Sequence, residues 1–408
     1  MKILSTLFLF ILVLISNVSA QTGWVQQTSG TTQVLLGVSF ADANTGYACG
    51  LSGMILKTTN AGTNWVSLPA VTGNFLRSIH FVNPANFGYA AGENGIVLKT
   101  TTGGMNWTPT GNAGSHTIVH IDFKDANTGI VVGLEGTIMT TTNGGTNWIS
   151  RKSGVNVELT GVYMVTPDNI YAVGFNGTII RTTNGGANWT MQSSGLTSEL
   201  RAVYFVNDNT GFVVGYNGRI LKTTNAGENW FSLTPGVTNN LFSIYCVDEN
   251  IVYASGTGII LKTTNGGANW QNQNVTVTSD LYSIAFSSAT LGLAVGQQGV
   301  ILKTTTGGVG INQISNQVPE RFILHQNYPN PFNPVTKIKF EIPSGSKNIK
   351  LAVFDINGRE VSQLFSGILN AGIYETKWGG INASSGVYFY SLYINESLMD
   401  TKKMLFIK

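Results

Sequence analysis

Charge is what this 408-residue chain has least of, with Asp, Glu, Lys and Arg together at 11%. That scarcity speaks against a nucleic-acid partner, which asks for a strongly basic face. It leaves the surface to be solvated by hydroxyls and amides. Residues 21–318 carry 12 basic and 13 acidic side chains (net −1), and residues 319–408 carry 10 and 7 (net +3). Cysteine is nearly absent: Cys49 and Cys246 are expected too far apart to bridge and read as small buried hydrophobes. The four histidines, His80, His116, His120 and His325, show no ligand spacing, and there is no Cys-x-x-Cys, so no metal site is expected. No Gly-rich loop leads from a strand into a helix, so no nucleotide cradle and no cofactor are expected.

Long apolar runs are absent after the first twenty residues. Residues 1–20 carry Lys2, an apolar run from Leu7 to Ile15 and the small-x-small site Val18-Ser19-Ala20, which together read as an export signal peptide. Its core is too short for a spanning helix and no comparable run follows. The mature chain is therefore expected to be soluble, with no transmembrane segment.

What the chain has is a repeat. A phrase such as Lys-Thr-Thr-Asn-x-Gly-x-Asn-Trp recurs seven times, and Trp65, Trp107, Trp148, Trp189, Trp230 and Trp270 are spaced 42, 41, 41, 41 and 40 residues apart. Each unit holds short apolar runs divided by Gly and Asn turns. In the first these are Leu36-Gly37-Val38-Ser39-Phe40, Tyr47-Ala48-Cys49-Gly50 and Met54 to Thr59, with Trp65 opening a fourth. Such runs read as antiparallel strands, and a period of about 40 residues reads as a β-propeller blade. Gly-His and Trp-Asp pairs are missing, which sets aside a WD-type repeat. The seventh unit has Ile311 where its tryptophan belongs, while Trp24 lies 41 residues before Trp65. The expectation is an all-β chain: a seven-bladed β-propeller closed by the N-terminal strand, over residues 21–310.

The turn Thr-Thr-Asn-x-Gly-x-Asn-Trp resembles the Asp-box turn of sialidase-like propellers, with Asn60, Asn143, Asn184, Asn225 and Asn265 at the acidic position and Thr102 and Thr306 elsewhere. A side-chain oxygen there can fold back on backbone N–H groups while the tryptophan buries its ring, so the turn reads as a blade staple rather than a ligand site. A basic residue precedes it: Lys57, Lys99, Arg181, Lys222, Lys262 and Lys303, with Thr140 in the third unit. Two readings stand, a ring that binds a polyanion and long stems that cover a strand and snorkel to water, the second favoured.

After a polar linker, 311–325, comes a different module, 326–408. Asn327-Tyr328-Pro329-Asn330-Pro331-Phe332-Asn333-Pro334 excludes helix. Alternating strands follow at Thr336 to Ile342, Ile349 to Phe354 and Ser385 to Leu392, which suggest a small immunoglobulin-like β-sandwich. That opening, with Gly358-Arg359-Glu360-Val361, Ala371-Gly372, Trp378, Ser385-Gly386-Val387-Tyr388 and the basic, apolar end Lys402 to Lys408, resembles the type A C-terminal sorting domain of the type IX secretion system. The resemblance implies the type IX secretion machinery as a partner. It also implies a secreted or cell-surface location, reached across both membranes.

The blade endings also resemble the photosystem II stability and assembly factor family, seven-bladed propellers that bind protein partners through an arginine-lined face; Arg77 and Arg201 are the nearest counterparts. The sorting module speaks against a photosynthetic role.

Reactive or binding groups in a propeller gather at the channel mouth. The repeat places Arg77, Glu93, His116, Glu135, Glu158, Glu199, Arg201, Tyr216, Asp280 and Tyr282 on or near one such face. These are candidate ligand-binding residues, and none is assigned a catalytic role. The three carboxylate-holding arginines of a sialidase are not matched. Glu93 with Glu135, or Glu158 with Glu199, remains open as a glycosidase carboxylate pair. His120 stands where other units have Gly37, Ser78, Gly161 or Ala202, and reads as a buried, hydrogen-bonded residue. The favoured function is a noncatalytic propeller binding a protein or polysaccharide through its loop face; the alternative is an extracellular glycoside hydrolase.

Overall fold

The structure, a computed structural model, describes residues 23–82, 86–111, 113–273, 275–308, 312–315, 317–343, 347–379 and 383–407. The expected signal peptide lies outside these residues. The chain separates into two compact units, one spanning Thr22–Gly310 and a C-terminal one beginning at Ile311.

The first unit is an all-β, propeller-like array of seven four-stranded antiparallel sheets. In the first sheet the strands are Leu35–Phe40, Gly46–Gly50, Ile55–Thr58 and Val66–Ser67. The second strand of every sheet, from Gly46–Gly50 to Gly292–Gly296, is buried along its length, apart from the half-buried Phe87 that opens the one in the second sheet. Strands apolar on both faces are what a sheet packed between two others requires. Small residues end them where the backbone of the incoming strand passes: a Cβ on Gly50 would stand 2.0 Å from the Val34 carbonyl oxygen.

The turn between second and third strands is a three-residue 3-10 turn in six sheets, such as Leu51–Gly53 and Tyr216–Gly218. Its middle residue sits in the left-handed region even when it is not glycine or asparagine, as at Ser52, Glu135 and Gln298.

The Asp-box-like turn is built as its residues suggest. In the fifth sheet Thr223 Oγ1 accepts the Gly227 N–H at 2.9 Å and donates to Asn225 Oδ1, which accepts the Asn229 N–H at 3.0 Å. Trp107, Trp148 and Trp230 pack edge-on to Phe81, Phe123 and Phe205 of their own sheets, and Trp107 also meets Tyr47 of the preceding sheet at 6.3 Å. In the seventh sheet the outer strand is Gly23–Gln27, paired with Ile301–Gly308 through Val25–Lys303 and Gln27–Ile301. Trp24 there meets Phe286 at 5.8 Å and Tyr253 at 6.5 Å, the same arrangement.

The repeated basic residues, half-buried, also tie neighbouring sheets together. Lys99, Lys222 and Lys262 donate to the carbonyl oxygens of Gly144, Gly266 and Gly307, at 3.0, 2.7 and 2.8 Å, in the turn of the next sheet. Lys303 reaches Thr63 Oγ1 of the first sheet at 2.7 Å. Each of the three ammonium groups also lies over a ring of its own sheet, Lys99 5.5 Å from Tyr89, Lys222 5.2 Å from Phe212 and Lys262 5.3 Å from Tyr253.

The C-terminal unit holds two four-stranded sheets. One joins Asn312–Ser315, Gly372–Gly379, Val335–Ile342 and Ile323–Leu324; the other joins Glu360–Leu369, Lys347–Phe354, Gly386–Ile394 and Ser397–Phe406. Within 311–325, expected as a linker, Asn312–Ser315 and Ile323–Leu324 are thus edge strands, since edge pairing asks only for backbone groups and tolerates a polar sequence. The proline-rich opening packs by its one aromatic anchor: Phe332 lies 5.5 Å from Trp378 and 5.1 Å from Phe406.

Candidate functional site

All seven inner strands line one cavity of about 450 Å³. At its mouth stand the second residues of these strands, Arg77, Thr160, Arg201, Phe242 and Tyr282 among them. Beside them are the residues just before the strands, Glu158, Glu199 and Asp280, and the first residues of the 3-10 turns, Tyr216 and Gln297.

The structure brings seven of the ten expected residues together there. Arg201 Nη1 donates to Glu199 Oε1 at 2.6 Å, the two side chains being 24% and 14% exposed. Its guanidinium lies 6.0 Å from the Tyr216 ring and 5.9 Å from the Phe242 ring. Burial raises the Glu158 pKa; Arg201 and Arg77 partly offset that, and Glu199 adds to it. Glu158 therefore sits within electrostatic reach of arginines from the second and fifth sheets. Tyr282 donates to Asp280 Oδ2 at 3.2 Å, and Gln297 Nε2 donates to both Asp280 Oδ2 and the Tyr282 oxygen at 3.0 Å. Burial raises the pKa of both Tyr216 and Tyr282, so both stay neutral donors. The Nε atoms of Arg77 and Arg201 are buried and find no acceptor among the described residues.

Three expected residues do not join this cluster. Glu93 holds the same turn position as Tyr216 and Gln297, but its Oε2 accepts the Phe75 N–H at 3.2 Å and so braces its own loop. His116 Nδ1 lies 3.9 Å from Glu135, but the pair is 45% and 77% exposed in a separate cleft with Arg151 and Lys152. Glu93 and Glu135 are thus not brought together at the mouth, because they occupy different positions of the 3-10 turn. Sequence reasoning missed Phe242 and Gln297. The signal for Phe242 was present, since it holds the inner-strand position of Arg77 and Arg201.

Deeper in the cavity, His80 Nδ1 lies 3.4 Å from Asp122 Oδ1, and Asp122 Oδ2 accepts the Met164 N–H at 2.7 Å. Tyr163, Tyr204 and Tyr245 follow in line at 4.7 and 5.1 Å between ring centres. His120 is half-buried in the cavity wall, and burial of its ring pulls its pKa down to about 4, Asp122 opposing the lowering and His80 adding to it. Its Nδ1 has no hydrogen-bond partner among the described residues, contrary to the bonded histidine expected.

Among solved structures, the chain is similar to "YCF48 bound to D1 peptide", with 22% identity and a TM-score of 0.61 over 72% of this chain and all of that one. It is similar also to YCF48 from Cyanidioschyzon merolae, with 20% identity and a TM-score of 0.59 over 69% of this chain and 98% of that one. The WD40 β-propeller domain of Doa1 shares the fold at 13% identity and a TM-score of 0.59, over 69% of this chain and 95% of that one. No curated protein matches the chain. Residues 326–408 match the secretion system C-terminal sorting domain, which implies export and a secreted or cell-surface location. Residues 16–112, 152–224 and 226–305 match the model of the photosynthesis system II assembly factor YCF48, and with more than half of its length so matched, the chain belongs to that family.

Proposed function

We propose that this is a noncatalytic binding protein whose ligand seat is the channel mouth. It is carried to the cell exterior by its sorting domain through the type IX machinery. Residues 21–310 form a seven-bladed propeller closed by the N-terminal strand, and residues 326–408 an immunoglobulin-like sandwich. Support for closure comes from side-chain bonds that link one inner strand to the next. Val38 N–H donates to Ser283 Oγ, Phe81 N–H to Ser39 Oγ, Ile121 N–H to Ser78 Oγ and Ile284 N–H to Ser243 Oγ, so the link from seventh sheet to first is of the same kind as the others.

The observation that carries the binding function is the polar cluster drawn from the second, fourth, fifth and seventh sheets to one mouth. Its arginine Nε atoms find no acceptor among the described residues. Buried donors in this state are matched by water or by a ligand. A solved relative of this fold is bound to a peptide, which supports a propeller of this type as a binding module.

A second reading has one observation behind it. Burial raises Glu158 while its neighbour Glu199 is held by Arg201, the kind of divided environment that a glycosidase acid and its partner carboxylate share. Incubating the full mature chain with polysaccharides and following reducing ends tests both. Saturable binding without turnover is expected. Turnover that vanishes in Glu158→Gln would replace the binding reading with the hydrolase.

A further inference from the structure

The mouth carries charge of both signs, Arg77 and Arg201 standing among Glu158, Glu199 and Asp280, and neither sign dominates it. Arg201 is engaged by Glu199, and Glu158 faces Arg201 and Arg77. A ligand with a strong charge would meet its like as closely as its opposite. What the mouth offers instead is ring surface and unfilled acceptors. Tyr216, Phe242 and Tyr282, from three successive sheets, form one run of rings, Phe242 lying 6.1 Å from Tyr216 and 5.2 Å from Tyr282. All three are partly exposed.

Beside the rings, planar polar groups are fixed by one another. Gln297 Nε2 and the Tyr282 hydroxyl both converge on Asp280 Oδ2. Asp280 Oδ1 and Gln297 Oε1 accept no side-chain hydrogen bond among the described residues, nor does Glu199 Oε2 on the other side of the ring run. The pattern is therefore a run of apolar rings with rigid acceptors fixed beside it.

Resting on the reading of the mouth as the ligand seat, we propose that its ligand is a neutral polysaccharide. A pyranose ring has an apolar C–H face and an equator of hydroxyls that donate and accept. The face stacks on Phe242 and Tyr282, where aromatic surface excludes water. The hydroxyls donate to Asp280 Oδ1 and Gln297 Oε1. Few fixed polar groups around ring surface are the usual make-up of a small-molecule site, and here they also orient the sugar.

The test uses the full mature chain titrated calorimetrically with soluble neutral oligosaccharides: β- and α-glucan, mannan and xylan series. At least one series is expected to saturate. Phe242→Ala and the isosteric Asp280→Asn should each weaken it by about tenfold or more, while Phe231→Ser, on an exposed outer strand, leaves it unchanged. Thermal unfolding of each variant shows that it is folded, and Asp280→Asn carries the test if Phe242→Ala is not. Absence of binding to every series overturns the sugar assignment. If a protein partner binds instead and Arg201→Met abolishes it, the sugar fails while the mouth stands as the seat. Oligosaccharide binding that survives both substitutions overturns the sugar assignment and the mouth together.

Discussion

His120 shows how one exchanged residue changes a repeat. Where the second, sixth and seventh sheets place serines that accept a neighbouring N–H, the third has an imidazole in the same position. Burial lowers its pKa to about 4, whereas in the unfolded chain it takes a proton near 6.5. Between those values the unfolded state binds more protons, so the contribution is intact above pH 6.5 and is lost as pH falls towards 4. The loss reaches at most about 3 kcal/mol. Urea unfolding at pH 7 and pH 4.5 should therefore show a larger drop in wild type than in His120→Ser; equal drops would mean that His120 is not the group. Glu135 is a second such case. It occupies the left-handed position of its turn at φ 55°, where the fourth and fifth sheets carry Asn176 and Asn217. Side chains other than Gly and Asn are strained there by roughly 1–2 kcal/mol. Glu135→Asn should stabilise the protein by up to about 1 kcal/mol, read as a rise in denaturation midpoint.

At the scale of the element, the unit of construction is the turn with its tryptophan rather than the strand. Thr223 is fully buried and serves two residues, Gly227 through its N–H and Asn225 through both its N–H and its Oδ1. Thr223→Val keeps the shape and removes both, leaving a buried N–H without an acceptor at a cost of about 1–3 kcal/mol. If Thr223→Val and the exposed Thr224→Val lose the same stability, the turn is not the staple its geometry implies. This element was legible from residues alone, because Asn, Gly and Trp at fixed offsets each have one conformational job. The inner-strand register was legible for the same reason, and it located Arg77, Glu158, Glu199, Arg201, Tyr216, Asp280 and Tyr282. It could not tell which polar residues would meet. Glu135 sits one turn position away from Tyr216 and Gln297, Glu93 shares their position but spends its carboxylate on the Phe75 N–H, and Gln297 joins the cluster through Asp280, a partner 17 residues away. Nor did the strand pattern show that Lys99, Lys222 and Lys262 end on carbonyls of the next sheet, since that partner is fixed by the spacing between sheets rather than within one.

At the scale of the molecule, the question is whether seven similar sheets behave as a row or as a ring. In a row each unit is held by its neighbours alone, so a lesion in the last unit frays that end and leaves the rest standing. In a ring there is no end, and the seventh sheet is also the neighbour of the first, through Val38 to Ser283 and Lys303 to Thr63. Trp24 is fully buried between Phe286 and Tyr253 although it lies at the start of the unit. Trp24→Ala removes that ring at a cost of roughly 3–5 kcal/mol. On the closed-ring reading the whole unit feels the loss: the urea midpoint falls with the slope of the transition unchanged, and fluorescence and circular dichroism still trace the transition of the propeller together. In an open row, Trp24→Ala would instead split the transition, with an early, small step for the seventh sheet and a main step at the wild-type midpoint. The single residue farthest in sequence from the sheet it completes is thus the one that distinguishes the two architectures.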